Sequence, residues 1–205
     1  MQLRSLLLAC SVAFAGVTLD TAAPLRGPAE AQAAVSVAYS LAELIDASPR
    51  VVVAKALERR SLWETVADSR RIVTYTKLQV VERVYGEPAK TLWVRTLGGA
   101  VGRIGQQVSG EAQFHVGRQS LVFLTPDKDG TLVVMGGGQG HFPVVKPKEE
   151  GRPATLRLSP TMGKVLPRRG PSVSVQAQLG GKQLDQAIAK IRQTKRERDA
   201  QRKKR

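Results

Sequence analysis

The chain has 205 residues and a formal net charge of +15, with 42% hydrophobic and 4% aromatic residues. This length predicts one domain, and the hydrophobic fraction is too high for a fully disordered chain. The large positive charge favours contact with a polyanion but indicates no particular fold. The only cysteine, Cys10, lies in an N-terminal apolar segment. A protein processed beyond that segment therefore has no cysteine nucleophile, no thiolate metal site and no disulfide framework.

Residues 1–33 have the features of a secretory signal peptide. A short positive end precedes the apolar run 5–19, which has the length of a signal-peptide core and is too short to span a membrane. Small residues predict cleavage after Ala33, and a cut after Ala15 is the alternative. The segment ending at Cys10 resembles a bacterial lipobox, but only nine residues precede Cys10, so a lipoprotein is disfavoured. We expect a secreted or periplasmic protein with no transmembrane span in the mature chain.

The first structured elements are predicted to be a short helix and three strands. Ser40 and Glu43 have the spacing of a capping box, and the helix is expected to run through Ala47. The apolar start of the first strand predicts burial on both faces. The alternation in the second strand slips near Val84, which predicts a bulge. The three strands are predicted at 51–57, 71–85 and 91–96.

The middle of the chain predicts loops and further strands. Gly98 to Gly105 have glycine spacing without a following helix, which excludes a dinucleotide-binding fingerprint and predicts a loop. A strand at 119–124 and the turn Pro126–Gly130 lead into a hairpin partner at 131–135. His141 to Val145 are predicted as an edge strand, because proline cannot donate to a sheet.

Beyond residue 146 the composition changes. Prolines punctuate 147–181, which we interpret as an extended strap with one strand candidate at 155–158. A helix is predicted from Leu184 through about Thr194, with apolar residues at helical spacing. Nine basic residues against two acidic ones between Lys190 and Arg205 carry +7 of the net charge. The predicted organisation is 1–33 signal peptide, 34–146 β-domain, 147–181 strap, and 182–205 helix and basic tail.

The succession of predicted strands resembles the netrin-like module, the OB-fold barrel of the tissue inhibitors of metalloproteinases. The segments that carry the likeness are VVVAKA, YTKLQVVERVYG, TLWVR and VGRQSLVFL. The glycine-rich stretches after Leu97 and around Gly140 are also similar to uncharacterised secreted bacterial proteins of myxobacterial type. The resemblance spans Leu41 to Val145. It implies a mainly β fold, a small OB-like (netrin-like) antiparallel barrel with a short N-terminal helix and a C-terminal helix.

The resemblance to the inhibitors does not extend to their functional end. Those proteins present an N-terminal cysteine to the zinc of a protease, and this chain has Ala34 at the predicted mature start. Fold carries over between such proteins more safely than function. Inhibition of a secreted metalloprotease is therefore kept only as an alternative.

Residues suited to catalysis do not form a recognisable constellation. His115 and His141 lack further ligands at metal-binding spacing, and Ser61, Ser109 and Ser120 lack an elbow motif. Asp127 and Asp129 are predicted to make a turn rather than a calcium loop. We expect a non-enzyme without cofactor or metal.

Two sets of residues are candidates for binding. The possible binding surface consists of Trp63, Tyr75, Trp93, Arg95, Arg103 and His141. The basic tail consists of Lys195, Arg196, Arg198, Arg202, Lys203, Lys204 and Arg205. Aromatic faces of an OB-fold stack oligosaccharides or nucleotides, although the same residues also fill cores. A basic tail either attaches to an anionic polymer or is simply solvated.

Three functions follow as expectations. The favoured one is an exported, non-catalytic binding module that contacts a protein or an envelope polymer, with the basic tail aiding attachment to anionic surfaces. The alternatives are an inhibitor-like partner of a secreted metalloprotease and an oligosaccharide- or nucleic-acid-binding OB-fold. The identity of the partner and the oligomeric state do not follow from the sequence.

Overall fold

The structure is a computed structural model that describes residues 35–147, 149 and 151–204. The predicted signal peptide, its cleavage site, Cys10 and Arg205 lie outside the described residues. The described part of the chain is mainly β with three α-helices and a 3-10 turn at Gly137–Gly140. The helices are α1 (Leu41–Ala47), α2 (Val175–Leu179) and α3 (Leu184–Lys203). The strands are β1 (Val35–Val37), β2 (Arg50–Val66), β3 (Ser69–Tyr85), β4 (Thr91–Leu97), β5 (Gly99–Val101), β6 (Ile104–Gln106), β7 (Gln119–Pro126), β8 (Leu132–Val134), β9 (His141–Val145), β10 (Thr155–Leu156) and β11 (Lys164–Leu166).

The main sheet is organised around the long antiparallel hairpin of β2 and β3. Its turn residues, Ala67 and Asp68, both have positive φ, as a tight two-residue hairpin turn requires. β3 also pairs with β4, and β2 also pairs with β7, in both cases antiparallel. β8 pairs in parallel with β4 and antiparallel with β7. β9 and β10 extend the sheet beyond β7, and β1 with β11 and β5 with β6 form two small sheets.

Several local predictions are confirmed. The side chain of Ser40 accepts from the backbone of Glu43, whose carboxylate accepts from the backbone of Ser40, so α1 begins with a capping box. The register between β2 and β3 skips Val84, which places a bulge at the predicted position. The Asp127–Gly130 segment forms the predicted turn, with Asp129 Oδ1 accepting from the amide of Thr131 at 2.9 Å.

Other predictions were too short or were wrong. β2 continues to Val66 although its second half is polar, because that half pairs with β3 throughout. The predicted glycine loop after Leu97 forms the β5–β6 hairpin. β9 is not an edge strand, since β10 pairs with its outer side. Pro143 is tolerated there because its carbonyl oxygen accepts from the amide of Arg157 at 2.8 Å, a contact that needs no donor on the proline.

The core lies on both faces of the sheet. Val51 and Val53 belong to one cluster of buried side chains, whereas Val52 and Ala54 belong to the other. This alternation follows from the opposite directions of successive side chains in a strand. Burial on both faces is what the apolar run at the start of β2 predicted.

The helices cover one face of the sheet. Leu44 of α1 and Ile188 and Ile191 of α3 are buried in the same cluster as Val51 and Val53. A fully buried aliphatic side chain contributes about 1.5–3 kcal/mol of transfer free energy, so α3 is a structural part of the core. The predicted end of α3 near Thr194 was too early, because the helix continues to Lys203.

Candidate anion-binding cleft

A cleft of about 610 Å³ lies beside Lys55 of β2, the first residues of β7 and strand β9. Its walls come from these strand residues and from the segments 113–118 and 157–160. The loop before β7 is held to β2 by two backbone hydrogen bonds, from Gly117 to the carbonyl of Ala56 and from Ala56 to the carbonyl of Arg118. The cleft is therefore framed by hydrogen-bonded backbone and has the volume of a small-molecule site.

Four exposed cations surround the cleft. Lys55 comes from β2, Arg118 from the loop before β7, Lys146 from the end of β9, and Arg157 from the segment after β10. None of the four makes an ion pair within residues 35–147, 149 and 151–204, and no described lining residue is acidic. Unpaired cations that converge on a concave surface create a positive potential that attracts anions.

The floor of the cleft is apolar. Its side chains are Pro143 and Val145 of β9 together with Leu158 and Pro160 of the strap. Leu158 is 42% exposed. Apolar surface next to converging charge is the usual composition of a ligand pocket, in which polar groups fix orientation and apolar contact contributes affinity.

A buried hydrogen-bonded relay forms the inner wall. His141 is almost fully buried, and its Nε2 lies 2.9 Å from Ser120 Oγ. Its Nδ1 lies 3.3 Å from Ser159 Oγ, which lies 3.1 Å from Thr161 Oγ1. Thr161 Oγ1 donates to the carbonyl of Glu111 at 2.6 Å. The relay therefore joins two strands to the strap.

The terminal carbonyl fixes the direction of every proton in the relay. A carbonyl oxygen can only accept a hydrogen bond, so the Thr161 hydroxyl donates its hydrogen to the carbonyl of Glu111. Ser159 must then donate to Thr161, and its oxygen accepts from His141 Nδ1–H. This leaves Nε2 as an acceptor, and Ser120 donates to it. The imidazole is the neutral Nδ1–H tautomer, with both nitrogens occupied.

Burial keeps this imidazole uncharged. It lowers the pKa of His141 to about 4, and the neighbouring His115 contributes in the same direction. Phe114 packs edge-on against the His141 ring, with centroids 4.9 Å apart. His141 was predicted as a possible binding residue, and it lies in the wall of the cleft as a neutral group.

Three of the other predicted surface residues lie together. Tyr75 is opposite Arg95 in the β3–β4 register, and Trp93 is opposite Lys77 two residues away, so all lie on one outer face. Arg95 is not free for a ligand, because its Nε and Nη2 donate to one carboxylate oxygen of Glu64 at 3.1 and 2.8 Å. Burial raises the pKa of Tyr75 most, and the hydrogen bond and charge of Glu64 raise it further.

The remaining two predicted surface residues are elsewhere. Trp63 is opposite Ile72 in the β2–β3 register, which places it on the face opposite to Tyr75, and the guanidinium of Arg70 lies 5.0 Å from its ring centroid. Arg103 is exposed in the turn between β5 and β6. The structure thus does not bring the six predicted residues into one surface.

Three of the seven residues of the predicted basic tail are engaged within the fold. Lys195 pairs with Asp199 one turn further along α3. Arg198 and Arg202 both bind Asp46 of α1, with Arg198 Nε 3.0 Å from one carboxylate oxygen and Arg202 Nη2 2.9 Å from the other. The hydrogen bonds and charge of Arg198, and next the charge of Arg202, hold the pKa of Asp46 below its usual value.

The other tail residues differ. Arg196, Lys203 and Lys204 are exposed and make no ion pair within the described part of the chain, and Arg205 lies outside it. They form a basic patch on the outer side of α3 and at its end.

Sequence reasoning missed the cleft cations and Ser159. Lys55, Arg118, Lys146 and Arg157 are separated by up to about a hundred residues and share no motif. For the contact between Ser120 and His141, both residues were considered as candidates in the sequence. They lie in different predicted strands, so the sequence did not place them together. Pairing of β7 with β9, which sets Ser120 opposite Pro143, is what joins them.

Metal-binding clusters mark many enzymes, and long apolar helices mark many membrane proteins. Over the described ranges no group of three or more histidine, cysteine, aspartate or glutamate side chains is placed to hold a metal ion. No described helix combines the length and apolarity needed to cross a bilayer. Comparison with protein-family models, with curated proteins and with solved structures gives no match to this chain.

Proposed function

We propose that this protein is an exported, non-catalytic module that binds an anionic ligand in the cleft framed by Lys55, Arg118, Lys146 and Arg157. The observation that carries the proposal is the convergence on one cleft of these four cations, which have no ion pair among the described residues and no described acidic lining residue beside them. An anionic polymer of the cell envelope, or an acidic protein segment, has the complementary charge. The N-terminal sequence is the basis for proposing that the protein is exported and that its signal peptide is cleaved after Ala33.

The absence of catalysis in this proposal rests on the relay. A nucleophilic serine needs a histidine that can take up its proton. Here burial lowers the pKa of His141 to about 4, so the imidazole is a weak base near neutral pH. Ser120 and His141 instead stabilise the wall of the cleft.

We further propose that the main sheet is an OB-like barrel of netrin-like type. Five strands pair in a cycle, β2–β3–β4–β8–β7 and back to β2. One pairing, β4 with β8, is parallel and the others are antiparallel. A five-stranded barrel of this kind uses its loops for ligands, and the loop 113–118 before β7 lines the cleft. The alternative of protease inhibition has no feature in its support among the described residues.

The outer side of α3 is proposed as a second, weaker attachment region. Arg196, Lys203 and Lys204 are exposed, whereas Arg198 and Arg202 are held by Asp46. Among the described tail residues, these three exposed cations are available to an anionic surface, so this region adds general electrostatic attraction.

The test is binding of the purified exported protein to fluorescent polyphosphate over a range of salt concentrations. Lys146→Glu with Arg157→Glu should weaken binding at least tenfold and flatten its salt dependence by roughly one log–log unit for each lost contact. The matched control is Lys90→Glu with Arg103→Glu, which makes the same charge change at exposed residues outside the cleft. Equal loss in both variants would mean that net charge alone binds the polymer and would overturn the proposal.

A further inference from the structure

We infer that the ligand of the cleft is a single-chain anionic amphiphile, one alkyl or acyl chain carrying one phosphate or carboxylate group, taken up as an individual molecule. This rests on the proposed anion binding and names the chemical class of the ligand. The charged group would lie among the rim cations and the chain on the floor of β9 and the strap.

Polarity is separated within the cleft. The cations belong to the exposed rim, the polar Gln113, His115 and Gln119 lie on the side of β7, and the side chains on the floor of β9 and the strap are apolar. A purely hydrophilic polyanion would cover the floor without any favourable contact to it. A ligand with a charged end and an apolar chain matches both parts at once.

The relay in the inner wall has no free donor. It uses the hydroxyl hydrogen of Ser120 and both nitrogens of His141. An anionic group placed against the relay would therefore lose its hydration without compensation. The charged end of the ligand lies with the rim cations, and the end that reaches the relay is apolar.

The shape of the cleft distinguishes a single ligand molecule from a membrane surface. Lys55, Arg118, Lys146 and Arg157 come from four separate segments around a concave site of about 610 Å³. A concave ring of charge encloses one head group, whereas a bilayer presents a flat array. We therefore assign the cleft to a monomeric amphiphile and not to a membrane surface.

The experiment measures calorimetric binding of hexyl, octyl and decyl phosphate, each below its critical micelle concentration, with inorganic phosphate and decyltrimethylammonium as references. Affinity should rise about fourfold for each added methylene until the floor is covered, because a buried methylene contributes about 0.8 kcal/mol. Inorganic phosphate should bind at least a hundredfold more weakly than decyl phosphate, and the cationic amphiphile should not bind measurably.

Variants locate the chain. Leu158→Asp should weaken decyl phosphate binding at least tenfold and reduce the dependence on chain length. Leu62→Asp is the matched control, since Leu62 is also 42% exposed but does not line the cleft. Arg157→Glu should weaken all alkyl phosphates by a similar factor, because it changes the contact with the charged group only.

The outcomes separate the inference from the proposed function. Polyphosphate binding that depends on the cleft cations, combined with no effect of chain length, overturns the amphiphile and leaves the anion site. If the protein binds neither polyphosphate nor alkyl phosphates, both the proposed function and the inference are overturned. Binding to vesicles containing phosphatidylglycerol, without binding of monomeric alkyl phosphates, overturns the assignment to a single molecule.

Discussion

Ser120 donates its hydroxyl hydrogen to Nε2 of His141 across 2.9 Å, a direction imposed by the carbonyl of Glu111 at the far end of the relay. We predict that ¹⁵N NMR of His141 at neutral pH shows Nδ1 protonated and Nε2 bare. Ser159→Ala removes the acceptor of Nδ1–H and should lower the free energy of unfolding by about 1–3 kcal/mol. A spectrum with protonated Nε2 would reverse the relay and contradict this prediction.

The buried imidazole also predicts a dependence of stability on acid. The pKa of His141 is about 4 in the folded state, below the ordinary value of 6.5, so the unfolded state binds the proton more readily. The free energy of unfolding should be unaffected by this group above pH 6.5 and should fall as pH drops toward 4. The loss is about 3 kcal/mol, since one pKa unit corresponds to about 1.36 kcal/mol.

Urea unfolding at a series of pH values measures this loss. His141→Gln should remove most of the slope between pH 6.5 and 4. His115→Gln is the control, because this histidine is exposed on the rim and affects His141 only through its charge. A wild-type protein whose unfolding free energy is constant over that interval would show that His141 titrates normally.

The contact between α1 and α3 predicts a different acid effect. Asp46→Asn should lower the free energy of unfolding by roughly 1 kcal/mol, because the pairs with Arg198 and Arg202 are partly exposed and such pairs contribute little. The pKa of Asp46 is lowered in the fold, so the stabilisation is present above its ordinary value near 3.8 and is lost below it. The difference between wild type and variant should therefore shrink as the pH falls below 3.8, as measured by thermal unfolding. A difference that persists there would have another origin.

Gly99 predicts a steric requirement in the β5–β6 hairpin. Its φ is +134°, and a Cβ atom would collide with the hydroxyl oxygens of Thr74 and Ser61. Gly99→Ala should lower the free energy of unfolding by roughly 2 kcal/mol or more. Gly102 has φ of +59° and open space around it, so Gly102→Ala should cost about 1 kcal/mol from the backbone alone. Denaturant titration compares the two, and equal losses would mean that contact with Thr74 and Ser61 is unimportant.

Local signals predicted much of the fold. The capping box of α1 and the hairpin turn at Asp127–Gly130 depend on residues close together in the sequence, and both are present. The extension of β2 to Val66 was missed, because its polar residues become strand only by pairing with β3. α2 was missed as well, since its five residues follow a proline-rich segment and only Ser174 marks its start.

The candidate site was less accessible from sequence. Aromatic and basic residues were chosen by type, and the register of three strands then placed Trp63 and Tyr75 on opposite faces. The cleft depends on contacts between β7, β9 and the strap, which are long-range. His141 was named, but its role in the wall follows from Ser159, which lies in a segment without regular structure.

The position of α3 in the core has a consequence for how the protein is made. Ile188 and Ile191 complete the cluster that Leu41 and Leu44 begin, across more than 140 residues of chain. A nascent chain cannot close this cluster while α3 is still inside the ribosome, and contacts so distant in sequence form slowly. The helix-covered side of the sheet therefore completes its core only after α3 has been synthesised.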